Sequence, residues 1–129
     1  MKIELTMLAW SAVLCVALAL PYTIGFMMEL GLPALAGNRE NFPAGTGWVG
    51  RAKRAHANMV ENLVPFAALA LAVVVAGKTS GMTATAAELF LIARLVHAVA
   101  YIAGISWVRT LGFAGGVVAM VMLLVALLG

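Results

Sequence analysis

Four long apolar stretches divide the chain, separated by one long polar interruption and two short ones. The first, from about Leu5 to Met28, exceeds the ~20 helical residues that cross a bilayer core, and Pro21 predicts a kink near one of its ends. It stops at Glu29. From Gly31 to Gly47 prolines, glycines and polar residues predict an extended loop, and a loop of such length in a small protein is often functional. The second apolar run, Leu63 to Gly77, is too short to span a bilayer by itself, so its helix must begin upstream, near Trp48. That extension draws Arg51, Lys53, Arg54, His56, Asn58 and Glu61 into the helix, with Thr46 placed to act as N-cap. The third stretch, from about Thr83 to Ile105, holds Glu88, Arg94 and His97 among apolar residues, and the fourth, from about Trp107 to Leu128, has Arg109 at its start. Helices are therefore predicted at about 5–28, 48–77, 83–105 and 107–128 in one domain covering residues 1–129. The last two connections are short, so neighbouring helices should pack antiparallel. The predicted fold is all-α, an integral membrane four-helix bundle of up-down topology.

Composition points the same way. Of 129 residues, 64% are hydrophobic and 10% charged, against about a quarter charged in a soluble domain. A soluble chain this short could not hide such runs from water. The formal charge of +3 would raise the question of nucleic acid in a soluble protein, but here the cations are too few and too dispersed. They sort by side instead. Arg39, Arg51, Lys53, Arg54 and Arg109 gather at the end that holds the first loop and the third turn, against Lys2 and Lys78 opposite. The first loop is accordingly expected to be cytoplasmic, with both termini on the far side. Trp48 and Trp107 fall at the first boundary, where an interfacial aromatic belt belongs. Cys15 lies alone inside an apolar run, which excludes an intrachain disulfide and marks it as a packing residue. The first stretch is longer than the apolar core of a signal peptide and lacks a persuasive cleavage site, so it is expected to be a retained span.

The charged residues inside the spans carry the chemistry. At 100° per residue, Arg51, Arg54, Asn58, Glu61 and Pro65 fall within an arc of about 80° on the second helix, and Arg94, His97 and Tyr101 within about 60° on the third. Glu88 points away from the second of these faces. An ionised side chain at membrane depth costs roughly 2.5–3.5 kcal/mol, so aligned charged faces require pairing or a wet cavity. Glu61 and Arg94 are predicted to pair across the two helices, an arrangement that would serve equally as interhelical glue. Arg51, Arg54 and Arg109 then remain without an acidic partner on their helices. Grouped at the mouth of a bundle they would suit an anion with several carboxylates, or they snorkel to lipid phosphates. His97 and Tyr101 fit a ligand site or a hydrogen-bonded packing role. Neither histidine has a partner at metal-ligand spacing, and no metal site is expected.

Arg54-Ala55-His56-Ala57-Asn58-Met59-Val60-Glu61-Asn62-Leu63-Val64-Pro65-Phe66 resembles the second-helix signature of the MAPEG family, the membrane-associated proteins of eicosanoid and glutathione metabolism. Arg94-Leu95-Val96-His97-Ala98-Val99-Ala100-Tyr101 is similar to the family's third-helix motif, and Arg109-Thr110 to the start of its fourth helix. The resemblance implies a homotrimer that binds glutathione as co-substrate, folded in a U-shape between adjacent subunits near the cytoplasmic side. It implies that Arg54, Asn58, Glu61, His97, Tyr101 and Arg109 bind glutathione, with Arg51 and Arg94 in support, and that Arg109 is the catalytic residue that stabilises the thiolate. Ala57 stands where the prostaglandin E synthase branch has a basic residue, so the microsomal glutathione transferase branch is the better match. Phe113 stands where several members have a tyrosine, which removes one hydroxyl contact.

The function expected on this basis is a membrane glutathione transferase that conjugates glutathione to lipophilic electrophiles, with reduction of lipid hydroperoxides as a further activity. Two other readings follow from the same residues. One is a non-catalytic family member that binds lipid. The other is a small membrane transporter using Glu61, Arg94 and His97 as a relay, against which the polar residues cluster towards one side.

Overall fold

The structure is a computed structural model that describes all of residues 1–129. Six helices follow one another: α1 (Ile3–Ala17), α2 (Ala19–Leu30), α3 (Leu32–Ala36), α4 (Gly47–Val75), α5 (Gly81–Ala103) and α6 (Ser106–Leu128). There are no strands. α1 and α2 together form the first span, Ile3–Leu30, and α4, α5 and α6 are the other three helices long and apolar enough to cross a membrane. In hydrocarbon every backbone polar group must be satisfied within the segment, which is why these apolar runs take the helical form.

The first span breaks between Ala17 and Ala19. Pro21 is the cause: it has no N–H to give the carbonyl four residues back, and its ring crowds that carbonyl. The predicted loop after Glu29 holds a short helix, α3, seated by Leu35 in a small cluster with Phe26 and Val49. Thr46 occupies the N-cap position of α4 with extended backbone, yet its side chain makes no capping bond, which corrects that expectation. α5 is capped as a box instead, Ser80 Oγ accepting from the Thr83 N–H at 3.3 Å while Thr83 Oγ1 accepts from the Ser80 N–H at 2.7 Å.

α5 is the hub, packed against α6, α4 and α1. Lipid offers no hydrophobic drive between helices, so close approach of small residues has to supply the cohesion. Gly112 of α6 lies directly on the backbone of α5; a Cβ there would sit 2.8 Å from the His97 nitrogen and 2.9 Å from the Ala93 oxygen. Gly116, one turn on, accommodates the stem of Arg94. Between α4 and α5 the contact is made by Phe66 and Phe90, stacked with centroids 3.8 Å apart. The apolar residues that remain outside, among them Val75, Leu111 and Trp107, coat the bundle, as suits a surface solvated by lipid.

One end of the bundle carries the two termini and the α4–α5 turn. There Lys2 Nζ donates to Thr79 Oγ1 at 3.2 Å, and Lys78 Nζ donates to the Leu127 carbonyl at 3.0 Å, closing the C-terminus of α6. Glu4 is buried at this end and accepts from Thr83 Oγ1 at 2.5 Å. The opposite, or loop, end carries the α2–α4 loop, the α5–α6 turn and the arginines.

Candidate functional site

At the loop end α4, α5 and α6 each present cationic or polar side chains to a shared space. α4 supplies Arg51, Arg54 and Asn58, one to two turns apart; α5 supplies Arg94, His97 and Tyr101 at the spacing that keeps residues on one helix face; α6 supplies Arg109 in its first turn. The placement of Arg109 depends on the α5–α6 turn, where Gly104 adopts a left-handed conformation with φ 82°. A residue with a Cβ is strained in that region, so the tight reversal that returns Arg109 over Tyr101 is a glycine property.

Tyr101 is the centre of the arrangement. The Arg109 guanidinium carbon lies 4.8 Å from the Tyr101 ring centroid and that of Arg54 lies 6.0 Å from it. Two cations thus flank one aromatic ring, the geometry of paired cation–π contacts. His97 meets the same ring edge-on, centroids 5.5 Å apart. Two clefts share Tyr101 and Arg109 in their walls. The smaller, about 120 Å³, is lined by Arg51, Arg54, Tyr101, Ser106 and Arg109 among others. The larger, about 270 Å³, is lined by Asn58, His97, Tyr101, Arg109, Thr110 and Phe113. Arg51 also serves the helix beside it, since its Nε donates to the Ile102 carbonyl at 3.0 Å. That bond satisfies the last turn of α5, where a cation is also favoured by the helix dipole.

Arg94 is fully buried and does not pair with Glu61. Its Nη2 donates to Asn58 Oδ1 at 2.6 Å and faces His97 Nδ1 at 3.3 Å, while Nε and Nη1 have no partner in the chain. Glu61 is exposed on the outside of α4. The reason is angular. With buried Met59 at the centre of the inward stripe, Asn58 is about 100° to one side and Glu61 about 160° round, nearly opposite. The predicted pair is therefore not formed within the subunit, and Glu61 stands apart from the two clefts. The other sequence-predicted site residues, Arg51, Arg54, Asn58, Arg94, His97, Tyr101 and Arg109, do come together.

One participant was not anticipated from the sequence. Asn62, buried one turn beyond Asn58, donates from Nδ2 to the Asn58 carbonyl at 2.8 Å and to Asn58 Oδ1 at 3.2 Å. The signal was present as two asparagines at i and i+4, neighbours on a helix surface.

Chemically, the clefts gather three guanidinium groups with a phenol, an imidazole and an amide, and no carboxylate lines either of them. Such a wall suits a ligand with more than one anionic group. No cluster of histidine, cysteine and carboxylate side chains could hold a metal ion. The model of the MAPEG family matches residues 3–129. Neither a curated protein nor a solved structure matches the chain.

Proposed function

This chain belongs to the MAPEG family, which includes glutathione transferases, peroxidases and members of lipid metabolism, and from that premise we propose that it is a membrane glutathione transferase acting on lipophilic electrophiles, with peroxidase activity towards lipid hydroperoxides. The observation that carries this reading is the cationic enclosure of Tyr101 by Arg54 and Arg109 at the mouth of the bundle. Glutathione has two carboxylates, one ammonium and one thiol. Arg51 and Arg54 suit a carboxylate, and Asn58, His97 and Tyr101 offer the hydrogen-bonding groups that would orient the peptide. Arg109 would act on sulfur: a guanidinium beside a thiol favours the thiolate, which is the nucleophile. The thiolate then forms a bond to the electrophilic carbon as the leaving group departs with its electron pair. With a hydroperoxide the sulfur attacks the distal oxygen, leaving an alcohol and a sulfenic acid that a second glutathione reduces to disulfide and water.

The reading includes a homotrimer with the glutathione site shared between subunits and the loop end in the cytoplasm. The outer face of α4 supports it. Arg54, Glu61 and Pro65 are all exposed there, and Pro65 leaves the Glu61 carbonyl without its intrahelical donor. A free carboxylate beside a free carbonyl in mid-span is costly against lipid and is relieved by another subunit. The basic residues of the loop end support the cytoplasmic orientation. Phe113 on the wall of the larger cleft favours a second reading, a non-catalytic lipid-binding member, since an apolar ring stands where a hydroxyl would help hold a peptide. Calorimetric titration of the detergent-solubilised protein with glutathione separates the two. Saturable binding supports the transferase, and absence of binding with retained affinity for lipid supports the alternative.

A further inference from the structure

We propose that Arg94 is a positioning residue that fixes the hydrogen-bond polarity of the larger cleft, locking His97 in its Nε2–H tautomer and turning Asn58 and His97 into donors towards a bound carboxylate. A guanidinium in a protein has five N–H donors and no acceptor. Arg94 Nη2 lies 2.6 Å from Asn58 Oδ1 and 3.3 Å from His97 Nδ1, so its two hydrogens serve these two atoms and both must accept. An imidazole whose Nδ1 accepts is neutral and carries its proton on Nε2. An imidazolium, or the Nδ1–H tautomer, would set hydrogen against hydrogen. With Nδ1 turned to Arg94, Nε2 is the ring nitrogen left for the cleft that His97 lines.

The same logic fixes Asn58. Its Oδ1 accepts from Arg94 and from Asn62 Nδ2 at 3.2 Å, which fills both lone pairs and leaves the Nδ2 amide hydrogens as the only capacity Asn58 has to offer. Only the oxygen of that amide can face a guanidinium, because its nitrogen would set donor against donor. The relay Asn62, Asn58, Arg94, His97 thus leaves a buried cation with a donor on each of two neighbours, Asn58 and the buried His97, both of which line the larger cleft. They stand beside Arg109 and Tyr101 on the same wall. A wall of donors takes an acceptor, and an ionised carboxylate is the strongest one available in a peptide ligand. His97 on this account binds and orients; it cannot serve as a general base through Nδ1. That the carboxylate is glutathione's rests on the function proposed above, whereas the tautomer and the amide orientation do not.

The test is made on the full-length protein in detergent as it assembles. The chain has two histidines, His56 and His97, so histidine-selective ¹⁵N spectra of wild type and His56→Gln assign both rings. The expected spectrum shows His97 Nδ1 at the far-downfield position of an unprotonated nitrogen and a directly bonded proton on Nε2. A proton on Nδ1, or an imidazolium, overturns the proposal. Arg94→Met keeps the stem and removes the donors, and should give a mixture of His97 tautomers; an unchanged spectrum reduces Arg94 to packing. Asn58→Asp is a variant whose folding is not at risk, because it offers Arg94 a carboxylate. A purely structural role for Asn58 predicts higher thermal stability with glutathione affinity unchanged. The proposal predicts higher stability with affinity reduced about tenfold or more, since a donor to the ligand has become a repelling acceptor. Retained affinity in Asn58→Asp overturns it. The two readings fail separately: a wild-type protein with the expected tautomer that ignores glutathione refutes the function, and one that binds glutathione with His97 protonated on Nδ1 refutes the relay.

Discussion

Gly112→Ala should loosen the bundle and the site together, and its cost can be worked from the structure. The new Cβ would lie 2.8 Å from the His97 nitrogen, 2.9 Å from the Ala93 oxygen and 2.9 Å from the His97 Cα, where ordinary contact begins at 3.4 Å. All three are backbone atoms of α5, so no side chain can swing aside, and α6 must retreat by about 0.6 Å at this point. A radial gap of roughly 0.5–1 Å forfeits a quarter to a half of the dispersion energy of the atoms it separates, and overpacking of a tight interior costs about 1–3 kcal/mol. Taking about 2 kcal/mol, a chain of this size melts roughly 6–10 °C lower. Because Arg109 lies three residues before Gly112, the retreat also draws its guanidinium away from Tyr101, so glutathione affinity should fall with stability. Thermal melting followed by circular dichroism in detergent, paired with a glutathione titration, reads both effects. Gly81→Ala is the control, since a Cβ there meets nothing within 4 Å and alanine is the better helix former. If Gly112→Ala melts with the wild type and binds glutathione equally well, the close approach of α5 and α6 is not what holds Arg109 in place.

Thr83→Val removes the hydroxyl that bonds Glu4 and completes the cap of α5; leaving the buried carboxylate without this donor should cost about 1–3 kcal/mol, seen as a lower melting temperature with glutathione affinity unchanged, because the site is at the opposite end. Phe113→Tyr adds a hydroxyl to the wall of the larger cleft and should tighten glutathione binding about three- to tenfold by calorimetry, the yield of one hydrogen bond of about 1 kcal/mol; unchanged affinity would place the ligand away from this wall.

The spans were legible because hydropathy and the satisfaction of backbone groups in lipid leave one solution for an apolar run of that length. The break at Leu18 was half legible: Pro21 announced a kink, and the position follows only once the carbonyl four residues back is considered. Of the site, helical periodicity placed Arg51, Arg54, Asn58, Glu61 and Pro65 on one helix face and Arg94, His97 and Tyr101 on another; Arg51, Arg54 and Asn58 do meet the second face, whereas Glu61 and Pro65 are exposed on the outside of α4. Periodicity could not say how far each helix is rotated against its neighbour. Charge complementarity therefore chose Glu61 for Arg94, although Asn58 lies closer to the inward stripe and takes the contact. The rotation of α4 against α5 is set by long-range contacts such as Phe66 stacked on Phe90, which leave no local mark in the sequence. Glu4 illustrates the same limit, since its partner Thr83 is remote in the chain and reached only through packing of α1 on α5.

Activation of the glutathione sulfur by Arg109 is the step on which the proposed chemistry depends, and the thiolate absorbance of the bound complex reports it. Wild-type protein titrated with glutathione should develop a saturable thiolate band and conjugate a generic aromatic electrophile. Arg109→Ala should lose the band and the turnover while keeping part of its affinity, because on the proposed function the peptide would also be held by Arg54, Asn58 and their neighbours. Each unit of thiol pKa that the guanidinium removes corresponds to about 1.4 kcal/mol, so even a modest displacement of the charge is visible. A mutant that retains both band and rate, or a wild type that shows neither, would contradict this mechanism.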